Sequence, residues 1–460
     1  MKLLFLVVWF IIPVIICAAQ KPQSPNILII MTDQQFADAM SCAMGDEYIH
    51  TPNMDKLAAS GVRFTRAYTP NPLCTPMRTS MMTGKFPHQT QVQTNNDKKN
   101  FKQEDHIYMG RIFKDAGYET GYFGKWHVAL EEGETELHGF DSFGEDNPRL
   151  DAGPVGDFIK EKRKKPFFAF ASFLSPHEVC QWARKEELPG EPLGDIPELE
   201  ALPPLMDNFG IPQNETDIEA YMRKSYQANR RFTVGDYTYA DWRRLRWGYY
   251  RLIERADIFV GEVLKSLEAS GKEENTIVVF LSDHGDCAGS HHWNQKTVFY
   301  DESTRVPFIV SMKGKTTSST SDILVNVGID LIPTLCELTG VEVPNDLPGK
   351  SMAGMILGSS NQVDREYLVI QNHMVQGDPL EGISLMPHGR MVRSEHFKYC
   401  LYSEGKKRES LVDMRFDPLE MINQAENPIY REVLEQHRTY LQEHADKQKD
   451  EVAQHMLDML

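Results

Sequence analysis

The chain has no Cys-x-x-Cys pair, no excess of basic charge and, beyond its first 20 residues, no apolar stretch long enough to span a bilayer. Each absence excludes something. Seven scattered cysteines argue against a compact disulfide scaffold or a zinc ribbon. With 66 acidic against 49 basic residues the formal net charge is −17, a poor match for nucleic acid or an anionic membrane surface. No internal repeat or low-complexity tract is present. What is present is an ordinary globular composition, 41% apolar over 460 residues. That length favours one large domain with a smaller companion over a single small core.

The N-terminus, MKLLFLVVWFIIPVIICAAQ, carries Lys2, an apolar run and the small residues Ala18 and Ala19. This pattern predicts a signal peptide over 1–19 and an exported chain, periplasmic or secreted, with an uncleaved anchor as the alternative. Ile16 before Cys17 is too large for a lipoprotein site. No stable membrane span is expected after cleavage. Six cysteines then remain, and export would allow some of them to pair.

Four apolar runs read as strands: PNILIIMTD, KPFFAFASFLSPH, NTIVVFLSDHGD and RVPFIVSM. Helical patterns lie between them, notably Trp247 to Ser270 and Ser321 to Leu338. Thr51, Pro52 and Gly61 punctuate another helix as N-cap, first helical residue and C-cap. Alternating strands and helices predict an α/β domain over about 20–345, with a mostly parallel central sheet flanked by helices. Residues 180–245, rich in Pro, Trp, Tyr and charge, read as a loop-rich insertion. From 346 to 460 the texture becomes α+β: EYLVIQNHM, GRMVRSEHFKYCLYS and ESLVDM read as an antiparallel sheet, followed by an amphipathic helix. In parallel sheets ligands gather beyond the carboxyl ends of the strands. Asp33, His177, Asp283 and His284 all fall there.

One segment stands apart. NPLCTPMRTSMMTGKFPHQ sets Cys74 two residues before Pro76 and four before Arg78, with a Thr-Gly-Lys turn after them. Alone, Cys74 would read as a small buried thiol. The whole stretch, however, resembles the sulfatase signature C-x-P-x-R with its T-G-[RK] turn. GYETGYFGKWH, with Gly117, Tyr118, Thr120, Gly124, Lys125, Trp126 and His127, resembles the second signature of that family. The chain is thereby similar to type I sulfatases of the alkaline-phosphatase superfamily, from about Pro25 to about Asn427.

The resemblance implies a function and a set of roles. Cys74 would be oxidised to formylglycine by a formylglycine-generating enzyme, and its hydrate would be the nucleophile, giving a covalent sulfo-enzyme intermediate. Arg78, Lys125, His127, His177 and Lys296 would surround the sulfate. Asp33, Gln34, modified Cys74, Asp283 and His284 would hold one divalent cation. The commoner family pattern is Asp-Asp and Asp-Asn. Gln34 and His284 depart from it, so Ca²⁺ is expected with Mg²⁺ or Mn²⁺ open.

The implied substrate is a sulfated carbohydrate, a glycosaminoglycan or an algal polysaccharide such as ulvan. Two other functions fit the motifs: a phosphonate monoester or phosphodiester hydrolase of the same superfamily, and a catalytically silent carbohydrate-binding relative. His291, His292, Trp293 and Asn294 lie near Lys296 in sequence and are candidates for sugar recognition. So are Arg184, Arg243, Arg244 and Arg246 for a uronate carboxylate, and Tyr226, Tyr237, Tyr239, Trp242 and Trp247 for sugar faces.

Overall fold

The computed structural model describes residues 24–144, 151–229, 231 and 234–460. The expected signal peptide over 1–19 lies outside them. Among the described residues no helix is long and apolar enough to cross a membrane.

Among the described residues twelve strands form two sheets. The first eight are β1 (Asn26–Asp33), β2 (Gly61–Tyr68), β3 (Glu119–Gly124), β4 (Ser142–Phe143), β5 (Phe167–Pro176), β6 (Thr276–Ser282), β7 (Phe308–Met312) and β8 (Ser319–Asn326). They pair in the order β4-β3-β5-β1-β6-β7-β2-β8. All neighbours run parallel except those of β7, which is antiparallel to both β6 and β2. Strand β7 returns from the carboxyl end of the sheet directly, without the crossover helix that a parallel pair requires.

The central strand shows why this sequence is buried on both sides. Every residue of β1 is buried. Ile27, Ile29 and Met31 enter one hydrophobic layer, while Leu28 and Ile30 enter the other. A period of two with no polar face is the pattern of a strand covered by helices on both sides. On one side lies the helix Tyr239–Ala269, which contributes Trp242, Tyr249, Leu252, Ile253 and Val260 to the core. It begins at a capping box: Thr238 Oγ1 accepts from the Asp241 N–H at 3.2 Å, and Asp241 Oδ2 accepts from the Thr238 N–H at 3.0 Å.

The second sheet is antiparallel, in the order β12-β11-β10-β9, from β9 (Tyr367–His373), β10 (His388–Ser394), β11 (Phe397–Tyr402) and β12 (Glu409–Asp413). The helix Arg431–Gln448 packs on one face through Leu434 and Leu441. The other face meets the large sheet through Tyr68, Trp293, Phe299 and Ile370.

Two sequence expectations are corrected. Ser321 to Leu338 is not one helix: its first part is β8 and only Leu331–Thr339 is helical. Ile323, Val325 and Val327 are β-branched, and pairing with β2 decides between the two states. The insertion is less loop-rich than expected, since it holds the helix Asp217–Ala228 and the first turns of Tyr239–Ala269. Gly61 is the C-cap of the helix Pro52–Ser60, in extended rather than left-handed conformation at φ −133°, and it opens β2 at once. A methyl group there would sit 2.5 Å from the Val310 carbonyl oxygen, so close strand approach demands the glycine.

Candidate active site

Four adjacent strands deliver the site. Asp33 ends β1, Asp283 and His284 follow β6, Lys125 follows β3, and His177 follows β5. The turn after β3 requires Gly124: its φ is 106°, and a methyl group would meet the Ser172 carbonyl oxygen at 2.0 Å. Cys74 is the first residue of the helix Cys74–Thr83, which runs back beneath the cluster.

The Cys74 thiol is buried and ringed by nitrogen. Its Sγ lies 3.0 Å from His284 Nε2, 3.3 Å from Lys296 Nζ and 3.9 Å from Lys125 Nζ. Burial and the Asp33 carboxylate push the thiol up. Lys125, Lys296 and His284 outweigh them and hold it well below the ordinary cysteine value.

Arg78 is fully buried and faces the carboxylates. Its Nε donates to Asp283 Oδ2 at 2.9 Å and one Nη to Asp33 Oδ2 at 2.8 Å. Its other Nη donates to the Lys125 carbonyl at 2.7 Å and to Ser172 Oγ at 2.9 Å. One guanidinium thus ties the ends of four strands together. Lys125 Nζ makes a 2.5 Å ion pair with Asp33 Oδ2. Burial raises the Asp33 carboxyl, but Lys125, His177, Arg78 and Lys296 together hold it well below the usual range. Asp283 moves the other way, raised by burial and by its neighbour Asp33.

The arrangement fits a divalent cation. Asp33, Cys74, Asp283 and His284 each place a potential ligand atom within 4.8 Å of the others. Asp33 Oδ1 is buried without a hydrogen-bond partner. His284 Nδ1–H donates to the Gly285 carbonyl at 3.0 Å, which turns Nε2 toward the cluster, where a cation could take it once it gives up its proton. Gln34, held at φ 75°, accepts from Lys296 Nζ at 2.6 Å through Oε1. Carboxylate and amide oxygens with one imidazole suit a hard or borderline cation.

His177 lies among the same charges. Burial, Lys125 and Lys296 lower its imidazole well below the usual histidine value against Asp33 and Cys74. His127 follows in the same turn as Lys125, at φ 47°, with a buried Nδ1 that lacks a partner.

The residues expected at a sugar site fall differently. Trp293 and His291 are buried, Trp293 within the core beside Tyr226 and His291 stacked on Tyr300 at 3.6 Å. The loop that carries them packs against the insertion, where the His291 N–H donates to the Asn208 carbonyl and Gln227 Nε2 donates to the His292 carbonyl. Asn294 is also buried, with both amide atoms unpartnered. Arg184 is paired with Glu186, and Arg243 donates to the carbonyls of Leu202 and Pro203. Arg246 is buried against the Pro204 carbonyl and Tyr250, and Arg244 pairs with Asp241. These guanidiniums hold the insertion together. Trp242 and Trp247 are core residues, and Tyr226 and Tyr237 spend their hydroxyls on Thr297 and the Ala183 carbonyl. Tyr239 is exposed beside Phe209, which also touches the half-buried His292.

Sequence reasoning passed over Ser172, Cys180 and Asp286, all buried beside the cluster. The signal for Asp286 was legible: it repeats the aspartate of Asp283 three residues later in SDHGD. A cavity of about 660 Å³ lies elsewhere, lined by Arg66, Phe397, His437 and Tyr440, and contains none of these residues. Chemistry, not volume, marks the site.

The chain also matches known proteins. The model of the sulfatase family matches residues 25–152 and 154–341. The chain belongs to the sulfatase family. The N-sulphoglucosamine sulphohydrolase C-terminal model matches residues 289–447. The chain is 32% identical to a Delta 4,5-hexuronate-2-O-sulfatase of Bacteroides thetaiotaomicron, over 94% of this chain and 91% of that one. It is 30% identical to an ulvan-active sulfatase of Formosa agariphila, over 84% and 74%. The structure of a 2-O GAG sulfatase superposes with a TM-score of 0.79 at 28% identity, covering 93% of each chain. A phosphonate monoester hydrolase of Agrobacterium radiobacter shares the fold alone, with a TM-score of 0.75 at 20% identity. This sulfatase is accordingly a sulfuric ester hydrolase, with a mostly parallel α/β sheet and a four-stranded antiparallel sheet behind it.

Proposed function

We propose that this sulfatase removes sulfate from an acidic, sulfated polysaccharide, with Cys74 acting as formylglycine after oxidation by a maturation enzyme. The observation that carries the mechanism is the ring of His284, Lys296 and Lys125 within 3.0–3.9 Å of Cys74 Sγ. Lys125 and Lys296 are placed to meet the oxygens of a sulfate ester attached at that side chain. The polysaccharide reading is supported by the relatives named above. Residues 346–460 form the smaller domain of this reading, and the first 19 residues direct export.

Asp33, Gln34, Asp283, His284 and the oxidised Cys74 side chain would hold one cation, with Ca²⁺ the first expectation. The cation would supply Lewis-acid stabilisation of negative charge at the nucleophile and the sulfate. The chain's own residues do the rest. One hydroxyl of the formylglycine hydrate attacks sulfur, and Asp283 accepts its proton. Lys125 and Lys296 hold the sulfuryl oxygens. His177 hydrogen-bonds the leaving oxygen and hands it a proton; the ester's negative charge offsets the two lysines that keep the free imidazole neutral. The second hydroxyl then loses its proton to His127, and its collapse to the aldehyde expels sulfate. Arg78 does not face the ester in this reading. It is a positioning residue that fixes Asp33, Asp283 and the turn carrying Lys125. The exposed Tyr239, beside the half-buried Phe209 and His292, offers a ring face on which a sugar can stack.

The test is a sulfate-release screen over defined sulfated oligosaccharides, with an aryl sulfate, a phosphodiester and a phosphonate monoester alongside. The protein's Cys74 peptide is first checked by mass for the aldehyde. Release of sulfate from a sugar at the highest kcat/KM is the expected result. A higher kcat/KM on the phosphorus esters would overturn the reading, as would sugar binding without release by protein that carries the aldehyde.

A further inference from the structure

Gln34 poses a problem that the signatures do not solve. A primary amide has one end that accepts and one that donates, and only the accepting end can serve a cation. Something must fix which way it points. Gln34 Oε1 is held by Lys296 Nζ at 2.6 Å. Its Nε2 donates to Asp286 Oδ2 at 2.6 Å. The other oxygen of Asp286, Oδ1, accepts from the Ala288 backbone N–H at 2.7 Å. Asp286 is 1% exposed and Gln34 is fully buried, so no water is needed to explain either contact.

We infer that Asp286 is the positioning residue of the cation site: it selects the amide orientation of Gln34 that turns Oε1 toward Lys296 and the cation. Both Asp286 oxygens face donors, so only a carboxylate satisfies them together. An asparagine there would point its own NH₂ at either Gln34 or Ala288, and a buried donor facing a donor is costly. The pair also accounts for the departure from the Asp-Asp pattern. The negative charge that Gln34 lacks stands one residue further out, at Asp286. The inference rests on the proposed ligand set, in which Gln34 takes part.

The test is calcium binding to the full-length protein, by titration calorimetry with metal content by mass spectrometry, on the wild type, D286N and the exchanged pair Q34E/D286N. Outer partners of metal ligands are typically worth about 10–100-fold in affinity. D286N should weaken calcium binding by about that factor. The exchanged pair should recover most of it, because the introduced amide can then donate to the introduced carboxylate and still accept from the Ala288 N–H. Should D286N fail to fold, Q34E alone, with two carboxylates in contact, should lose affinity and regain it on adding D286N. Equal affinity in wild type and D286N overturns the inference alone. So does a folded exchanged pair that binds no better than the single variants. A wild type that binds no calcium overturns the ligand set and this inference with it.

Discussion

Among the described residues buried charge is left open in one place and closed in others. The open place is the active site. Closed ion pairs lie on both faces of the antiparallel sheet. There Arg390 meets Asp450 through two hydrogen bonds of 2.6 and 2.8 Å, and Lys398 reaches Glu420 at 2.5 Å and Asp301 at 2.6 Å. Both of these cations are spent on carboxylates. In the active site Asp33 keeps an oxygen without a partner, and two lysines with a histidine surround a thiol. Buried ion pairs that close on themselves hold a fold together. Buried charge left open is what a ligand completes.

The contrast is broken most sharply at Cys74. C74A should reduce sulfate release below detection while the thermal midpoint stays within a few degrees of wild type. Wild-type-like turnover in that variant would sink the mechanism. The mirror case is D450N, which leaves the buried Arg390 guanidinium without its charge partner. Removing one member of such a pair costs about 3–5 kcal/mol, read as a lower midpoint in denaturant, with the kcat of the remaining folded protein unchanged. R390M/D450L should restore most of that stability. K296A comes next: losing one donor to developing charge lowers kcat by about 10²–10³ and should leave the denaturant midpoint nearly unaltered. A large fall in stability there would blur the distinction between open and closed charge.

The smallest effect is one of pH. Burial alone would raise the Asp450 carboxyl, but Arg390 and its hydrogen bonds hold it far below the usual range. A depressed acid contributes stability above its unfolded value of about 3.9, and that stability is lost as pH falls through the folded value. The stability of D450N, read as its denaturant midpoint, should therefore depend less steeply on pH below about 4 than that of the wild type. Equal slopes would assign the pair no part in acid stability.

Much of the site was readable along the chain because chemistry and local geometry coincide. Asp33, His177 and Asp283 follow apolar runs, and a strand buried on both faces must end in polar residues where it leaves the core. Lys125 was legible through the turn at Gly124. What was not legible is tertiary packing. Trp293 and His291 have the residue types of a sugar site, yet the loop that carries them packs against the insertion. Arg184 and Arg243 look like free cations until the carboxylate and carbonyls they serve are seen. Ser321 to Leu338 has a helical period, but β2 offered its first half a partner strand.

The sequence by itself determined the chemistry: a Cys-x-P-x-R segment, a Gly-Lys-Trp-His turn, and acidic strand ends in an α/β order. Residue type and spacing suffice there, because each motif is a local structure with its reactive group attached. Only the tertiary structure decided which side chains remain available to a ligand. Asp33 Oδ1 is open because Arg78 and Lys125 both chose Oδ2, and Gln34 turns as it does because Asp286 lies 2.6 Å away. Those choices are made between residues as many as 252 positions apart, where no local pattern reaches.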